Sequence, residues 1–132
     1  MGTQTILVVD DELVCLELTA AMLTRLGYRV IAAQSGREAL RLLESNPEIR
    51  IDLGIIDIVM QDLTGLELAR ELRRARPELP ILFMSSFSQD PTLRPPETRN
   101  IPFLAKPFSS ITLVKTIQEM LPPQAAQVAE PT

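Results

Sequence analysis

The chain has 132 residues, of which 45% are apolar, so it is long enough and apolar enough to fold around one hydrophobic core. Its net charge is −4 and it carries no basic tract, which argues against a nucleic-acid partner. Its apolar runs are far shorter than the roughly 20 residues that a membrane span needs, and its first residues do not resemble a signal peptide. The single cysteine, Cys15, cannot form an internal disulfide. These features predict a cytoplasmic protein that makes no membrane contact.

Strand and helix patterns alternate from the start of the chain. The apolar run Ile6–Val9 predicts a buried strand, and the spacing of the apolar residues over Leu13–Leu26 predicts a helix. A second strand is predicted over Tyr28–Ala33. Ser35 and Glu38 then have the spacing of a capping box, which predicts the start of a second helix.

The alternation continues through the second half of the chain. Leu53–Ile56 predicts a third strand with Asp57 at its exit, and Thr64 and Glu67 form a second capping-box pattern that opens a helix ending near Ala75. A fourth strand, a fifth strand and a last helix are predicted over Ile81–Met84, Phe103–Ala105 and Ile111–Leu121. The apolar face of this last helix is predicted to be Ile111, Val114, Ile117 and Leu121.

Strands separated by helices imply an α/β fold in which helices cover both faces of a parallel sheet. Five such strands predict a flavodoxin-like three-layer sandwich with a five-stranded parallel sheet in the order 2-1-3-4-5. The fourth helix is expected to be short or broken, because Pro91, Pro95 and Pro96 lie between the last two strands and a proline inside a helix costs about 3 kcal/mol. We expect residues 1–121 to form one domain and residues 122–132 to form a disordered tail or a linker.

Polar residues follow four of the predicted strands at the point where each strand ends. Asp10 and Asp11 follow the first strand, Asp57 the third, Ser85 the fourth and Lys106 the fifth. Because the carboxyl ends of parallel strands meet at one edge of the sheet, we expect one acidic pocket with one amine and one hydroxyl. Each residue also has a plainer interpretation: helix capping for the acid pair, turn residues for Asp57 and Ser85, and a surface position for Lys106.

The chemistry of such a pocket favours phosphoryl transfer. Three carboxylates on one edge would repel one another unless a cation lay between them, and Mg²⁺ (or Mn²⁺) takes oxygen ligands. A carboxylate can attack phosphorus and become an acyl phosphate. The reaction mostly needs positioning and neutralisation of the phosphate oxygens, which the cation, the Lys106 amine and the Ser85 hydroxyl can supply.

From Ile6 to Leu121 the sequence resembles the response-regulator receiver domains of two-component signalling, and it looks most like receiver modules attached to hybrid histidine kinases. The order and spacing of the acid pair, Asp57, Ser85 and the Lys106–Pro107 step carry the resemblance. The resemblance implies that Asp57 accepts a phosphoryl group from the phosphohistidine of a sensor histidine kinase or a histidine phosphotransfer domain.

The resemblance also implies the roles of the residues around Asp57. The metal ligands would be Asp10, Asp11, Asp57 and the backbone carbonyl of Val59. The residues that contact the phosphate would be Ser85, Ser86 and Lys106. The switch residues, which respond to phosphorylation, would be Ser85 and Phe103. We further hypothesise that Val59 and Phe87 shield the phosphoryl group from water; the alternative is that both simply pack.

Three local features qualify the resemblance. The family's usual proline after Met60 is here Gln61, which should leave the loop less rigid because proline fixes φ. The prolines after Phe87 alter the region that serves the family as an output face. The Lys106–Pro107 peptide is a candidate for the cis form, although only a small minority of X-Pro bonds adopt it.

The leading interpretation is a phosphoacceptor signalling module of a two-component phosphorelay, without turnover of a separate substrate. It would be a stand-alone regulator or the receiver of a hybrid kinase, acting on an unidentified downstream protein. One alternative is a phosphorylation-independent adaptor with the receiver fold; Gln61 and the prolines are its only support, and the acidic residues and Lys106 argue against it. The other is an aspartyl-phosphate phosphatase, which usually carries an Asp-x-Asp pair and a cap, whereas here the acid pair is adjacent.

Overall fold

The computed structural model describes residues 3–85 and 102–121 of the chain. Its strands and helices are β1 Thr5–Val9, α1 Leu13–Arg25, β2 Arg29–Ala33, α2 Gly36–Ser45, β3 Leu53–Asp57, α3 Gly65–Ala75, β4 Ile81–Ser85, β5 Phe103–Ala105 and α4 Ser110–Met120. The segment predicted to hold a short or broken helix and the predicted tail or linker lie outside the described residues. Across the two described ranges, no helix combines the length and the apolar character that crossing a bilayer requires.

The five strands form one parallel sheet in the order β2-β1-β3-β4-β5, which confirms the predicted flavodoxin-like arrangement. The register brings the strand ends together. Val9, the last residue of β1, pairs with Ala33 and with Ile56 of the two neighbouring strands. Asp57 pairs with Met84, so the polar residues that end or follow β1, β3 and β4 lie along one edge of the sheet.

Helices cover both faces of the sheet, and each face has its own apolar cluster. Because successive strand residues point to opposite faces, Leu82 packs in one cluster and Phe83 in the other. Leu82 shares its cluster with residues of α1 and α4, whereas Phe83 shares its cluster with residues of α2 and α3. The central strands β3 and β4 are buried along their whole length, which explains why their sequences are almost continuously apolar.

Both predicted helix caps form, but only one is a complete capping box. Thr64 Oγ1 accepts a hydrogen bond from the Glu67 amide at 3.1 Å, and Glu67 Oε1 accepts one from the Thr64 amide at 2.9 Å. Ser35 Oγ likewise accepts from the Glu38 amide at 3.0 Å. The Glu38 carboxylate, however, accepts from the amide of Gln34, one residue before the cap, at 2.8 Å.

The last helix, α4, buries only part of the face that was predicted: Ile117 and Leu121 are buried as expected, whereas Ile111 is not. It begins at Ser110, after the cap Ser109, and buries Leu113 and Ile117. Ile111 is 71% exposed, so its predicted place on the buried face was wrong. Apolar residues lie on two sides of this helix, and periodicity alone does not decide which side meets the sheet.

Candidate functional site

The side chains that follow the strands meet in one cluster at the carboxyl edge of the sheet. Lys106 Nζ lies 2.8 Å from Asp57 Oδ2 and 2.9 Å from Asp10 Oδ2. Asp10, Asp11 and Asp57 each offer an oxygen within 4.8 Å of the others. The long lysine side chain thus reaches from the end of β5, past β4, to the acids that end β3 and follow β1. The Lys106–Pro107 peptide is cis.

Most of this cluster is buried. Asp10 is fully buried, Asp57 is 5% exposed and Lys106 is also buried, whereas Asp11 is half-buried. Buried charges require partners, because the loss of water is costly unless opposite charges and hydrogen bonds replace it. The three aspartates alone exceed the single positive charge of Lys106 by two negative charges. That excess suits a divalent cation with oxygen ligands.

Glu12 is a contact of Lys106 that the sequence did not predict. Its Oε1 lies 3.0 Å from Lys106 Nζ. Glu12 stands at the N-cap position of α1, but its side chain makes no capping bond there. Burial alone would lower the pKa of Lys106, yet the hydrogen bonds to Asp57, Asp10 and Glu12 raise it above its ordinary value. The amine therefore carries its positive charge at neutral pH.

The Asp57 carboxylate is held through both of its oxygens. Oδ2 accepts from Lys106 Nζ at 2.8 Å, and Oδ1 accepts from the backbone N–H of Val59 at 3.0 Å. Burial raises the pKa of Asp57 above its ordinary value, and these two hydrogen bonds counteract the rise only in part. A carboxyl group whose pKa is shifted by burial and by a charged partner is typical of a functional site.

Asp10 and Asp11 do not cap α1, which removes their plainer interpretation. Asp10 Oδ1 accepts from the backbone N–H of Glu12 at 2.9 Å, in the turn before the helix. Asp11 Oδ2 accepts from the backbone N–H of Gln61, in the loop after β3, at 3.2 Å. The first turn of α1 contains no acidic residue. Both carboxylates therefore belong to the cluster at the sheet edge.

A cleft of about 390 Å³ opens onto this cluster. It is lined by Asp11, Glu12, Asp57, Val59, Met60, Gln61, Ser85 and Lys106. Val59 is half-exposed at the cleft and Ser85 is buried, and the shielding role of Val59 stays a prediction. Ser86 and Phe87 lie outside the described residues. Phe103 is half-buried and packs against the core cluster shared by α2 and α3.

Gly65, the first residue of α3, lies directly against the backbone of Asp57. A Cβ atom at this position would be 2.5 Å from the Asp57 carbonyl oxygen and 2.6 Å from Ile58 Cα. The Gly65 N–H also donates to the Ile58 carbonyl at 2.9 Å. The sequence shows a glycine at the first helical position, but only the tertiary structure shows that its missing side chain lets α3 approach Asp57.

Most of the chain matches a known family. Residues 6–118 match the response regulator receiver domain family. The chain belongs to this family. Its receiver domain is 36% identical over 124 residues to the sensor kinase CckA of Brucella abortus, covering 93% of this chain and 13% of the kinase. It is 30% identical over 126 residues to the transcriptional regulatory protein GlrR of Escherichia coli, covering 95% of this chain and 28% of GlrR.

Solved structures agree with this assignment. The chemotaxis protein CheY4 of Vibrio cholerae is 30% identical, with a TM-score of 0.77 over 91% of this chain and 100% of CheY4. The receiver domain of the hybrid histidine kinase CckA is 31% identical, with a TM-score of 0.74 over 89% of this chain and 98% of the CckA domain. The response regulator TrrA of Thermotoga maritima, solved in complex with Mg²⁺-BeF, is 30% identical, with a TM-score of 0.77 over 90% of this chain and 100% of TrrA. The receiver domain is thus a module of two-component signalling.

Proposed function

We propose that the receiver domain accepts a phosphoryl group on Asp57 and changes its protein contacts in response. One observation carries this assignment. Among the described acids that contact Lys106, Asp57 is the buried one that lines the cleft, because Asp10 is fully buried and Glu12 is exposed. Both Glu12 and Asp57 can be reached through the cleft, and Asp57 is the one of the two that is buried beside the lysine amine.

The chain's own residues account for the transfer. A carboxylate oxygen of Asp57 forms a bond to phosphorus while the bond between phosphorus and the donor's histidine nitrogen breaks, and that nitrogen keeps the electron pair. The charged Lys106 amine, 2.8 Å from Asp57 Oδ2, neutralises an oxygen of the transferred group. The Ser85 hydroxyl lines the same cleft and can donate to another oxygen.

The acidic cluster also fits a divalent cation. Its three aspartates exceed the charge of Lys106 by two, and one oxygen of each aspartate lies within 4.8 Å of the others. Asp10, Asp11, Asp57 and the backbone carbonyl of Val59 would hold Mg²⁺ (or Mn²⁺), and the bound ion supplies neutralisation of the transferred group. The remaining assignments, Ser86 as a phosphate contact and Ser85 with Phe103 as the switch, stay predictions from the resemblance.

The protein that donates the phosphoryl group would contact apolar residues near the cleft. Because Asp57 is 5% exposed, the donor's histidine must enter the cleft, and the donor must contact the surface around it. Val14 and Leu18, one turn apart on α1, are 71% and 57% exposed and follow the cleft residue Glu12. A helical surface of a sensor histidine kinase or of a histidine phosphotransfer domain would pack against them.

Phosphate uptake tests the assignment of Asp57. The receiver domain is incubated with acetyl phosphate and Mg²⁺, and bound phosphate is located by mass spectrometry. Asp57→Asn should abolish uptake, whereas the control Asp52→Asn, the same change at the residue before β3, should retain it. Uptake by Asp57→Asn would refute the assignment. No uptake by the wild type would favour the adaptor, and repeated turnover would favour the phosphatase.

Two further variants test the proposals around the cleft. Leu18→Glu should slow uptake from a cognate kinase but not from acetyl phosphate. If the substitution changed neither rate, or slowed both to the same extent, Val14 and Leu18 would not form a docking surface for the donor. The shielding hypothesis predicts that the double substitution Val59→Asn with Phe87→Glu shortens the lifetime of the phosphorylated protein. An unchanged lifetime would count against shielding.

A further inference from the structure

The loop between β3 and α3, residues 58–64, holds two carboxylates of the cluster through its backbone. The Val59 N–H donates to Asp57 Oδ1 at 3.0 Å, and the Gln61 N–H donates to Asp11 Oδ2 at 3.2 Å. A proline at position 61 would have no N–H to donate. The path of this loop therefore determines how both carboxylates are oriented.

The next residue, Asp62, fastens this loop to the start of α2. Its Oδ2 accepts from the backbone N–H of Arg37 at 2.9 Å, and its Oδ1 accepts from that of Gly36 at 3.3 Å. These are the first two residues of α2, whose amides have no partners within the helix. The third amide, that of Glu38, is capped by Ser35 at 3.0 Å. Asp62 thus completes the cap of a helix about 25 residues away in the sequence.

Packing brings the loop and the helix into direct contact at the same place. A Cβ atom on Gly36 would lie 3.0 Å from both Cβ and Cδ1 of Leu63, the residue after Asp62. Met60 is buried in the core cluster of α2 and α3, and Leu63 packs against that cluster. The loop is therefore anchored to the core by apolar contacts and to α2 by one charged side chain.

We propose that Asp62 is a positioning residue of the phosphorylation site. It does not belong to the acidic cluster; it fixes the loop whose Val59 and Gln61 amides orient Asp57 and Asp11. Removing its carboxylate breaks the hydrogen bonds between the loop and α2 and lets the two carboxylates adopt other orientations. This inference rests on the proposed function, because it concerns how well the cluster is prepared for Mg²⁺ and phosphate.

A pair of capping variants separates this role from simple stabilisation of α2. Asp62→Ala removes the loop-to-helix bonds, whereas Ser35→Ala removes a cap of the same helix without touching the loop. Hydrogen exchange of the Val59 and Gln61 amides is followed in the metal-free proteins, and Mg²⁺ affinity is measured by calorimetry. Asp62→Ala should speed exchange at Gln61 and weaken Mg²⁺ binding about fivefold, less than a direct ligand partner would. Ser35→Ala should leave both quantities near wild type.

A conservative variant keeps the test decisive if Asp62→Ala folds poorly. Asp62→Asn retains one acceptor oxygen for the α2 amides, so its exchange rate and Mg²⁺ affinity should lie between those of wild type and Asp62→Ala. Equal losses in Asp62→Ala and Ser35→Ala, or wild-type behaviour of Asp62→Ala, would overturn the positioning role. A wild type that binds neither Mg²⁺ nor phosphate would instead overturn the proposed function, while the exchange data would still decide whether Asp62 fixes the loop.

Discussion

Substituting Gly65 by alanine tests how closely α3 must approach Asp57. The added Cβ would lie 2.5 Å from the Asp57 carbonyl oxygen and 2.6 Å from Ile58 Cα, about 1 Å short of van der Waals contact. Both are backbone atoms, so neither can turn aside as a flexible side chain would. Overpacking of this kind costs about 1–3 kcal/mol, and the better helix propensity of alanine returns at most about 1 kcal/mol. We expect Gly65→Ala to lower the free energy of unfolding by about 1–2 kcal/mol.

The same change should also displace Asp57 and slow phosphorylation. Because misplacement of a reacting group by about 1 Å is costly, we expect phosphate uptake from acetyl phosphate to fall about tenfold. Urea unfolding measures the first effect, and mass spectrometry over time measures the second. Gly54→Ala is the control, since the one tight contact of its Cβ would be with the flexible end of Ile81, at 3.2 Å from Cδ1, and its contacts with Ile56 would be at ordinary van der Waals distance. If Gly65→Ala unfolded and reacted like the wild type, the close approach would have no bearing on the site.

Three further changes test the charges and caps around the site. Lys106→Met removes the ammonium group from between the carboxylates, so the free energy of unfolding should fall by about 3 kcal/mol, and Mg²⁺ should restore part of it in urea unfolding. Thr64→Ala removes one half of the capping box and should lower the free energy of unfolding by about 1 kcal/mol in the same assay. Burial would raise the pKa of Asp62, but its backbone N–H donors, chiefly that of Arg37, lower it below its ordinary value. Its contribution to stability is therefore present above the unfolded pKa of about 3.9 and is lost as the pH falls through the lower folded pKa. The unfolding free energies of wild type and Asp62→Asn should therefore differ at pH 7 and converge in acid.

Each of these expectations has an outcome that contradicts it. Full stability of Lys106→Met without Mg²⁺ would mean that the carboxylates do not depend on the ammonium group. Wild-type stability of Thr64→Ala would mean that the capping bonds contribute nothing measurable. A difference between wild type and Asp62→Asn that persisted unchanged into acid would mean that the charge of Asp62 is not what stabilises the loop.

Local pattern was enough to predict the strands and the main chemical groups of the site. Each strand begins and ends within one residue of the predicted position, because buried parallel strands are short apolar runs bounded by turn residues. Asp10, Asp57 and Lys106 could be brought together from sequence because each follows the carboxyl end of a strand, and those ends share one edge of the sheet.

Other features depend on contacts between residues that are far apart in the sequence, and local patterns do not show such contacts. Glu12 contacts Lys106 from 94 positions away in the sequence, and no pattern of neighbouring residues pointed to that contact. Asp62 caps α2, a helix that begins 26 residues earlier in the sequence. Ile111 fitted the apolar period of the last helix, yet it is exposed, because the choice of face depends on how the helix rotates against the sheet.

The sequence by itself determined the order of strands and helices and the residue types at the strand ends, since these follow from local periodicity and from which residues can end a buried strand. Only the tertiary structure decided which oxygens meet the Lys106 amine, how the 58–64 loop is fastened, and why position 65 must lack a side chain. The physical reason is that such contacts are set by the packing of whole helices and loops at sub-ångström precision, which no window of neighbouring residues encodes.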